Sequence, residues 1–235
     1  MRGLSRRFGG LQAVDGLDLT VAEGSITALI GPNGAGKTTS FAMIAGFVRP
    51  DAGRVLFAGR DITGWRPDRI AAAGLVRSFQ ITQPFAGLTV AENIRVGAFL
   101  RTADPAAAAR SARDIGTRLG LGALLDRPAA SLTVAARKRL ELARALATAP
   151  KLLLLDEVMA GLNPTEIAAV IALIRAIRDA GTTILLIEHV MQAVMALSEQ
   201  VFVLAEGRLI AAGAPSRIAA DPAVIEAYLG RGAHG

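Results

Sequence analysis

Apolar residues run along this chain in two rhythms, and the switch between them predicts its architecture. The stretch "LDLTVAEGSITALI" (17–30) predicts two short strands around a Glu23-Gly24 turn. "GPNGAGKTT" follows, and then a helix to about Phe47. "RPDAGRVLFAG" predicts a turn and a strand, "RPDRIAAAG" a short helix with proline near its start, and "LVRSF" a strand that ends at Gln80. From 89 to 147 the spacing is helical throughout, with Pro105 and Pro128 where helices begin or end. Strands then return in alternation with helices: strand 151–156, helix 164–179, strand 182–187, helix 190–198, strand 201–205. The tail "GRLIAAGAPSRIAADPAVIEAYLG" predicts one more strand and small helices. Alternation of this kind implies parallel crossovers. The expectation is an α/β core carrying a helical insertion between Gln80 and Lys151.

Composition narrows the setting. Hydrophobic content is 52% and mean hydropathy +0.43. Yet no apolar run approaches the ~20 residues that span a bilayer. The best candidate, Ile167 to Ile174, is stopped by Glu166 and Arg175. The N-terminus is basic without the apolar core of a signal peptide, so the expectation is a soluble or membrane-docked chain. Cysteine is absent, which excludes disulfides and thiolate chemistry. The net charge is +6, carried mostly by arginine, which suits a nucleotide, nucleic acid or the anionic inner leaflet, the plain alternative being solubility and genomic base composition. Aromatics make up only 4%, too few for the stacking platforms of single-strand nucleic-acid binders.

Gly31, Pro32, Asn33, Gly34, Ala35, Gly36, Lys37 and Thr38 match G-x-x-x-x-G-K-[ST] at every defined position, and Thr39 follows. An apolar strand precedes the match and a helix opens from it, the context this phosphate loop needs. Backbone N–H groups would wrap the phosphates of ATP, with Lys37 on the β- and γ-phosphates and Thr38 on Mg²⁺. "LLLLDE" (152–157) is a strand buried on both faces that ends in two acids. Behind a phosphate loop, Asp156 is expected to hold Mg²⁺ through water and Glu157 to act as general base on the attacking water. The plain alternative is two carboxylates at an exposed strand end. His189 ends another apolar strand and is either solvated or a γ-phosphate contact. Gln80, after "LVRSF", offers a neutral amide to Mg²⁺ and to the water.

The order of phosphate loop, Gln80, a Leu132-Thr133-Val134-Ala135-Ala136 stretch, Asp156-Glu157 and His189 resembles the ATP-binding subunits of ABC transporters. The resemblance runs from about residue 4 to 230. "FGGLQAVDGL", "RSFQITQPFAGLTVAENI", "AGLNP" and "DPAVIEAYLG" are similar to the branched-chain amino-acid importer branch, with the lipopolysaccharide-export ATPase also near. It implies one ABC ATPase domain over 1–235, with a mixed sheet and an antiparallel β part. The core would take about 1–85 and 148–235, and a helical subdomain about 86–147. It further implies a head-to-tail dimer with a second ATPase subunit, identical or not. Each ATP would lie between one phosphate loop and the partner's Thr133, Val134, Ala135, Ala136 loop. Membrane permease subunits would dock on the cytoplasmic face and, through them, a periplasmic solute-binding protein; nucleic acid is not expected. Phe8 would stack on adenine, ordinary core packing being the alternative.

The chain also departs from that family. Its Leu-Ser-Gly-Gly-Gln loop has lost both glycines and the glutamine, while Thr133 keeps the hydroxyl and can cap a helix. If the lost glycines required φ > 0, Ala135 would be strained by about 1 kcal/mol or more. Val158 replaces the usual proline, and Asn163 the usual aspartate. Two further readings therefore stand beside the motor: a nucleotide-binding switch with weak hydrolysis, and a DNA- or ribosome-acting relative using Arg137-Lys138-Arg139, whose plain alternative is the solvated face of a helix with Leu140, Leu142 and Leu146 on its apolar side.

Overall fold

The computed structural model describes residues 1–78 and 84–229. An N-terminal hairpin pairs β1 (Arg2–Phe8) with β2 (Leu11–Leu17), and β4 (Ala52–Arg54) joins the free side of β1. All these pairings are antiparallel. A second small ribbon joins β5 (Leu56–Phe57) to β6 (Arg60–Asp61). The main sheet takes β3 (Ile26–Ile30), β7 (Leu75–Arg77), β8 (Leu152–Asp156), β9 (Thr183–Ile187), β10 (Gln200–Ala205) and β11 (Arg208–Gly213). Its order is β11-β10-β3-β9-β8-β7, parallel except for the β10–β11 pair.

The buried strands carry apolar side chains on both faces, as a sheet covered on two sides requires. Alternation sorts them. Leu153 and Leu155 face one core with α5 (Val134–Ala147), α6 (Pro164–Asp179) and α7 (Met191–Leu197). Leu154 faces the other, against Phe41 and Met43 of α1 (Lys37–Ile44) and Ile70 of α2 (Pro67–Ala73). The helices α3 (Val90–Ala98) and α4 (Pro105–Arg118) pack with α5. The short helices α8 (Pro215–Ala219) and α9 (Pro222–Leu229) close the chain on β10 and β11.

The second half of the chain forms the elements its spacing predicts. The helix over 164–179 is set by its ends: Pro164 occupies the first turn, and Asn163 and Glu166 form a reciprocal capping box. One expected strand is absent. Residues 18–25 are not in a strand, although Leu17, Leu19 and Val21 alternate. Leu19 exchanges a single pair of bonds with Met1 (Met1 N to Leu19 O, 2.7 Å; Leu19 N to Met1 O, 3.3 Å), and Gly24 and Ser25 bond to the start of β9 through Thr183 Oγ1 and the Ile184 N–H, so no continuous ladder forms along the segment. The hairpin lies upstream instead, turning at Gly9-Gly10.

Candidate nucleotide site

The site stands at the carboxyl ends of three adjacent parallel strands. β3 ends at Ile30 and opens into the phosphate loop. Gly36 is the N-cap of α1, at φ 95°, with no side chain capping the helix and no acid in its first turn. The first N–H groups of α1 therefore point at the loop without a side-chain competitor, as an anion site requires. Lys37 is buried, and its Nζ donates to the carbonyls of Gly31 (2.7 Å) and Pro32 (2.8 Å), which folds the loop around the ammonium. Burial pushes the Lys37 pKa down, and the negative charges of Glu157 and Asp156 oppose that shift. Thr38 is exposed beside it and Thr39 half-buried.

β8 lies two strands away from β3, with β9 between them. Asp156 ends β8 and is fully buried. Its Oδ2 accepts from Arg77 Nη2 at 2.7 Å. Its Oδ1, also buried, has no hydrogen-bond partner among the described residues. Glu157 follows, with its N–H donating to Ile187 O at 3.0 Å. Its Oε1 is 2.7 Å from His189 Nε2, just past the end of β9. The parallel pairing of β8 with β9, which sets Asp156 opposite Ile187, thus brings two side chains 32 residues apart into contact. Gln80 lies outside the described residues.

Phe8 is 43% exposed at the end of β1, under the Arg6 guanidinium at 4.8 Å, so it is not a core side chain. Thr133 is the N-cap of α5; its hydroxyl accepts the Ala136 N–H at 3.3 Å. Val134 is 55% exposed, and none of residues 133–136 has a positive φ. The strain that a glycine-demanding backbone would place on Ala135 is therefore absent, and the alanines are ordinary helix residues. Thr133→Ala should cost about 1 kcal/mol through loss of the cap, read as a lower melting temperature in thermal denaturation.

Other contacts are not visible in the sequence pattern. Lys138, which reads as part of a solvated basic run, is buried, and its Nζ lies 3.4 Å from Glu157 O. Glu188 is buried and accepts the Met159 N–H at 3.0 Å, tying the loop after Glu157 to the end of β9. Burial pushes its pKa up, opposed by hydrogen bonds from the Met159 and His189 backbones. Burial pushes the pKa of Tyr228, on α9, up, and the backbone of Gly31 opposes that shift. The only prior signal for Glu188 is an acid closing an otherwise apolar strand.

No three His, Cys, Asp or Glu side chains cluster among the described residues. A Mg²⁺ ion does not need such a cage, since it keeps several waters and shares substrate phosphates. The unpartnered Asp156 Oδ1 and the Thr38 hydroxyl are hard oxygen donors that fit it.

Fold and site together define a phosphate-loop nucleotide-binding cassette. The model of the ABC transporter family matches residues 14–160, and that of the branched-chain amino acid ATP-binding cassette transporter matches 208–234. The chain belongs to the ABC transporter family and is an ATPase of that type. It is 41% identical to the high-affinity branched-chain amino acid transport ATP-binding protein LivG of Salmonella typhimurium, covering 98% of this chain and 96% of the relative. It is 38% identical to BraF of Pseudomonas aeruginosa, covering 97% and 96%. The solved ADP conformation of MJ1267, an ATP-binding cassette of an ABC transporter, superposes with a TM-score of 0.89 at 33% identity, covering 97% of each chain.

Proposed function

We propose that this chain is the ATP-hydrolysing motor subunit of an importer for branched-chain or similar small amino acids or amides. The observation that carries the catalytic part is the Glu157–His189 contact at 2.7 Å, beside a complete phosphate loop. The solute class is supported by the LivG and BraF relatives and by the match of the chain's tail to the branched-chain cassette model.

The loop N–H groups and Lys37 bind the phosphates, exchanging the Lys37 bonds to Gly31 and Pro32 for phosphate oxygens. Thr38 and Asp156, with Gln80, would hold Mg²⁺, which when bound neutralises charge on the phosphates. Glu157 orients the attacking water and takes its proton. His189, hydrogen-bonded to Glu157, keeps that carboxylate aimed, and it would contact the γ-phosphate of bound ATP. Phe8 is free to stack on adenine because it is exposed. A second ATPase subunit closes the site, supplying from its own loop the Thr133 hydroxyl and the N–H groups of Val134 and Ala135. Residues 86–147 move as a helical subdomain against the core. Among the described residues no helix is long and apolar enough to cross a membrane. In the importer reading, by the likeness to LivG and BraF, the chain works from the cytoplasmic face, docked on permease subunits that receive the solute from a periplasmic binding protein.

The test is MgATP hydrolysis by the chain assembled with its permease and partner ATPase in vesicles. The solute-binding protein, loaded with leucine, isoleucine, valine or a small amide, should stimulate turnover severalfold. Robust turnover that none of these solutes stimulates would remove the importer assignment. The weak-hydrolysis switch reading draws on Val134 and Ala135 in place of the loop's glycines, and Glu157 argues against it; the helical geometry of α5 removes only the added cost of strain at Ala135.

A further inference from the structure

Arg77 is the one charged residue in an otherwise apolar strand segment, "LVR", and it is nearly buried, with 10% of its side chain exposed. Parallel pairing sets it opposite Leu154. Registered residues of a parallel pair share a face, and so do residues i and i+2 along a strand. Arg77, Leu154 and Asp156 therefore stand on the same side of the sheet, the side that carries α1 and Lys37. The result is a buried ion pair, Arg77 Nη2 to Asp156 Oδ2 at 2.7 Å, with the carboxylate wholly out of solvent.

The next residue grips the same aspartate by its backbone. Ser78 is buried, its N–H donates to Leu154 O at 2.8 Å, and its Oγ accepts the Asp156 N–H at 3.2 Å. So the end of β7 holds Asp156 twice, once at the carboxylate and once at the amide. One carboxylate oxygen is engaged and the other, Oδ1, is left buried without a partner among the described residues.

This arrangement costs desolvation, and burying an ion pair is a poor way to gain stability. It makes sense as orientation. Lys37 is the nearby competitor: a mobile Asp156 carboxylate beside a buried ammonium would collapse onto it, silencing both groups. We propose that Arg77 is a positioning residue for nucleotide-bound metal. It pins Oδ2, keeps Asp156 off Lys37 and reserves Oδ1 for the metal's coordination sphere. Ser78 supports it by fixing the Asp156 backbone. The inference rests on the reading of Asp156 as a metal-holding residue, and it adds a residue type that the phosphate-loop pattern does not contain.

The experiment uses the full chain in a Glu157→Gln background, so that ATP persists. Mn²⁺ is titrated into protein saturated with ATP, and free Mn²⁺ is read by electron paramagnetic resonance. Arg77→Met should weaken Mn²⁺ at least tenfold, while ATP affinity measured in EDTA stays within twofold of the parent. Arg77→Lys, which restores the charge but not the planar fork, should fall between them. A merely structural role would lower ATP affinity equally with and without metal, and that result overturns the proposal. So does unchanged Mn²⁺ affinity in the Arg77 variants. If Arg77→Met does not fold, Arg77→Lys decides by the same two measurements. A parent with no ATP-dependent Mn²⁺ site would instead sink the metal assignment of Asp156, and this inference with it.

Discussion

Glu157→Gly should be more stable than Glu157→Ala by about 1 kcal/mol, although both lose ATP turnover by about 10²- to 10⁴-fold. The inversion follows from the backbone. Glu157 has φ +50°, the left-handed region, where a residue with a Cβ costs about 1–2 kcal/mol relative to glycine. At an ordinary helix or strand position the order reverses, with alanine better by about 0.5–1 kcal/mol. The conformation is imposed by its surroundings. The Glu157 N–H is spent on Ile187 O, its carbonyl accepts from Ala160 N, and Val158 and Met159 are buried immediately after it. That turn lifts the side chain out of the strand direction and onto His189. Strain of this kind persists where the geometry is needed. Glu157→Gln keeps both the strain and the volume, so its melting temperature should stay close to wild type while hydrolysis falls as in the other two. In a chain of this size 1 kcal/mol is about 2–4 °C, within reach of calorimetry. An alanine variant as stable as the glycine variant would show that the residue is not held in the left-handed region.

What could be read from the sequence was whatever is encoded locally. The phosphate loop is a contiguous match, and helix α6 announces both of its ends through Pro164, Asn163 and Glu166. The runs "LLLLDE" and "TTILLIE" declare strands buried on both faces. Contacts made by sheet order were not legible, because nothing in the spacing says that β9 inserts between β3 and β8. That order alone brings His189 to Glu157, and the β7–β8 pairing brings Arg77 to Asp156. Lys138 misled for a related reason. Three consecutive cations on a helix look like a wetted face, yet consecutive residues are about 100° apart. The middle one is turned inward to the Glu157 carbonyl. The segment after Leu17 misled because alternation marks extended backbone, and extended backbone becomes a strand only where a ladder partner exists.

Gly31→Ala should unfold the protein or lower its stability by about 2–6 kcal/mol, whereas Gly34→Ala should cost only about 1–2 kcal/mol. Both glycines have positive φ, +147° and +80°. They differ in what surrounds them. A Cβ on Gly31 would fall 2.0 Å from the Leu204 carbonyl oxygen and 3.3 Å from the Ala35 Cβ. Leu204 belongs to β10, which pairs in parallel with β3 one residue earlier, so the obstacle is a backbone already committed to the sheet. It can yield only if β10 separates from β3. A Cβ on Gly34 would meet nothing within 4 Å, and its cost is the left-handed backbone alone. The first penalty is a large share of a typical folding free energy of about 5–15 kcal/mol, and the second is a small one. Melting curves followed by circular dichroism separate them directly. Equal melting temperatures for the two variants would mean that the loop does not pass against β10 as closely as the structure shows. The placement of Lys37 would then lose its anchor, because the carbonyls of Gly31 and Pro32 that hold its ammonium are positioned by that same approach.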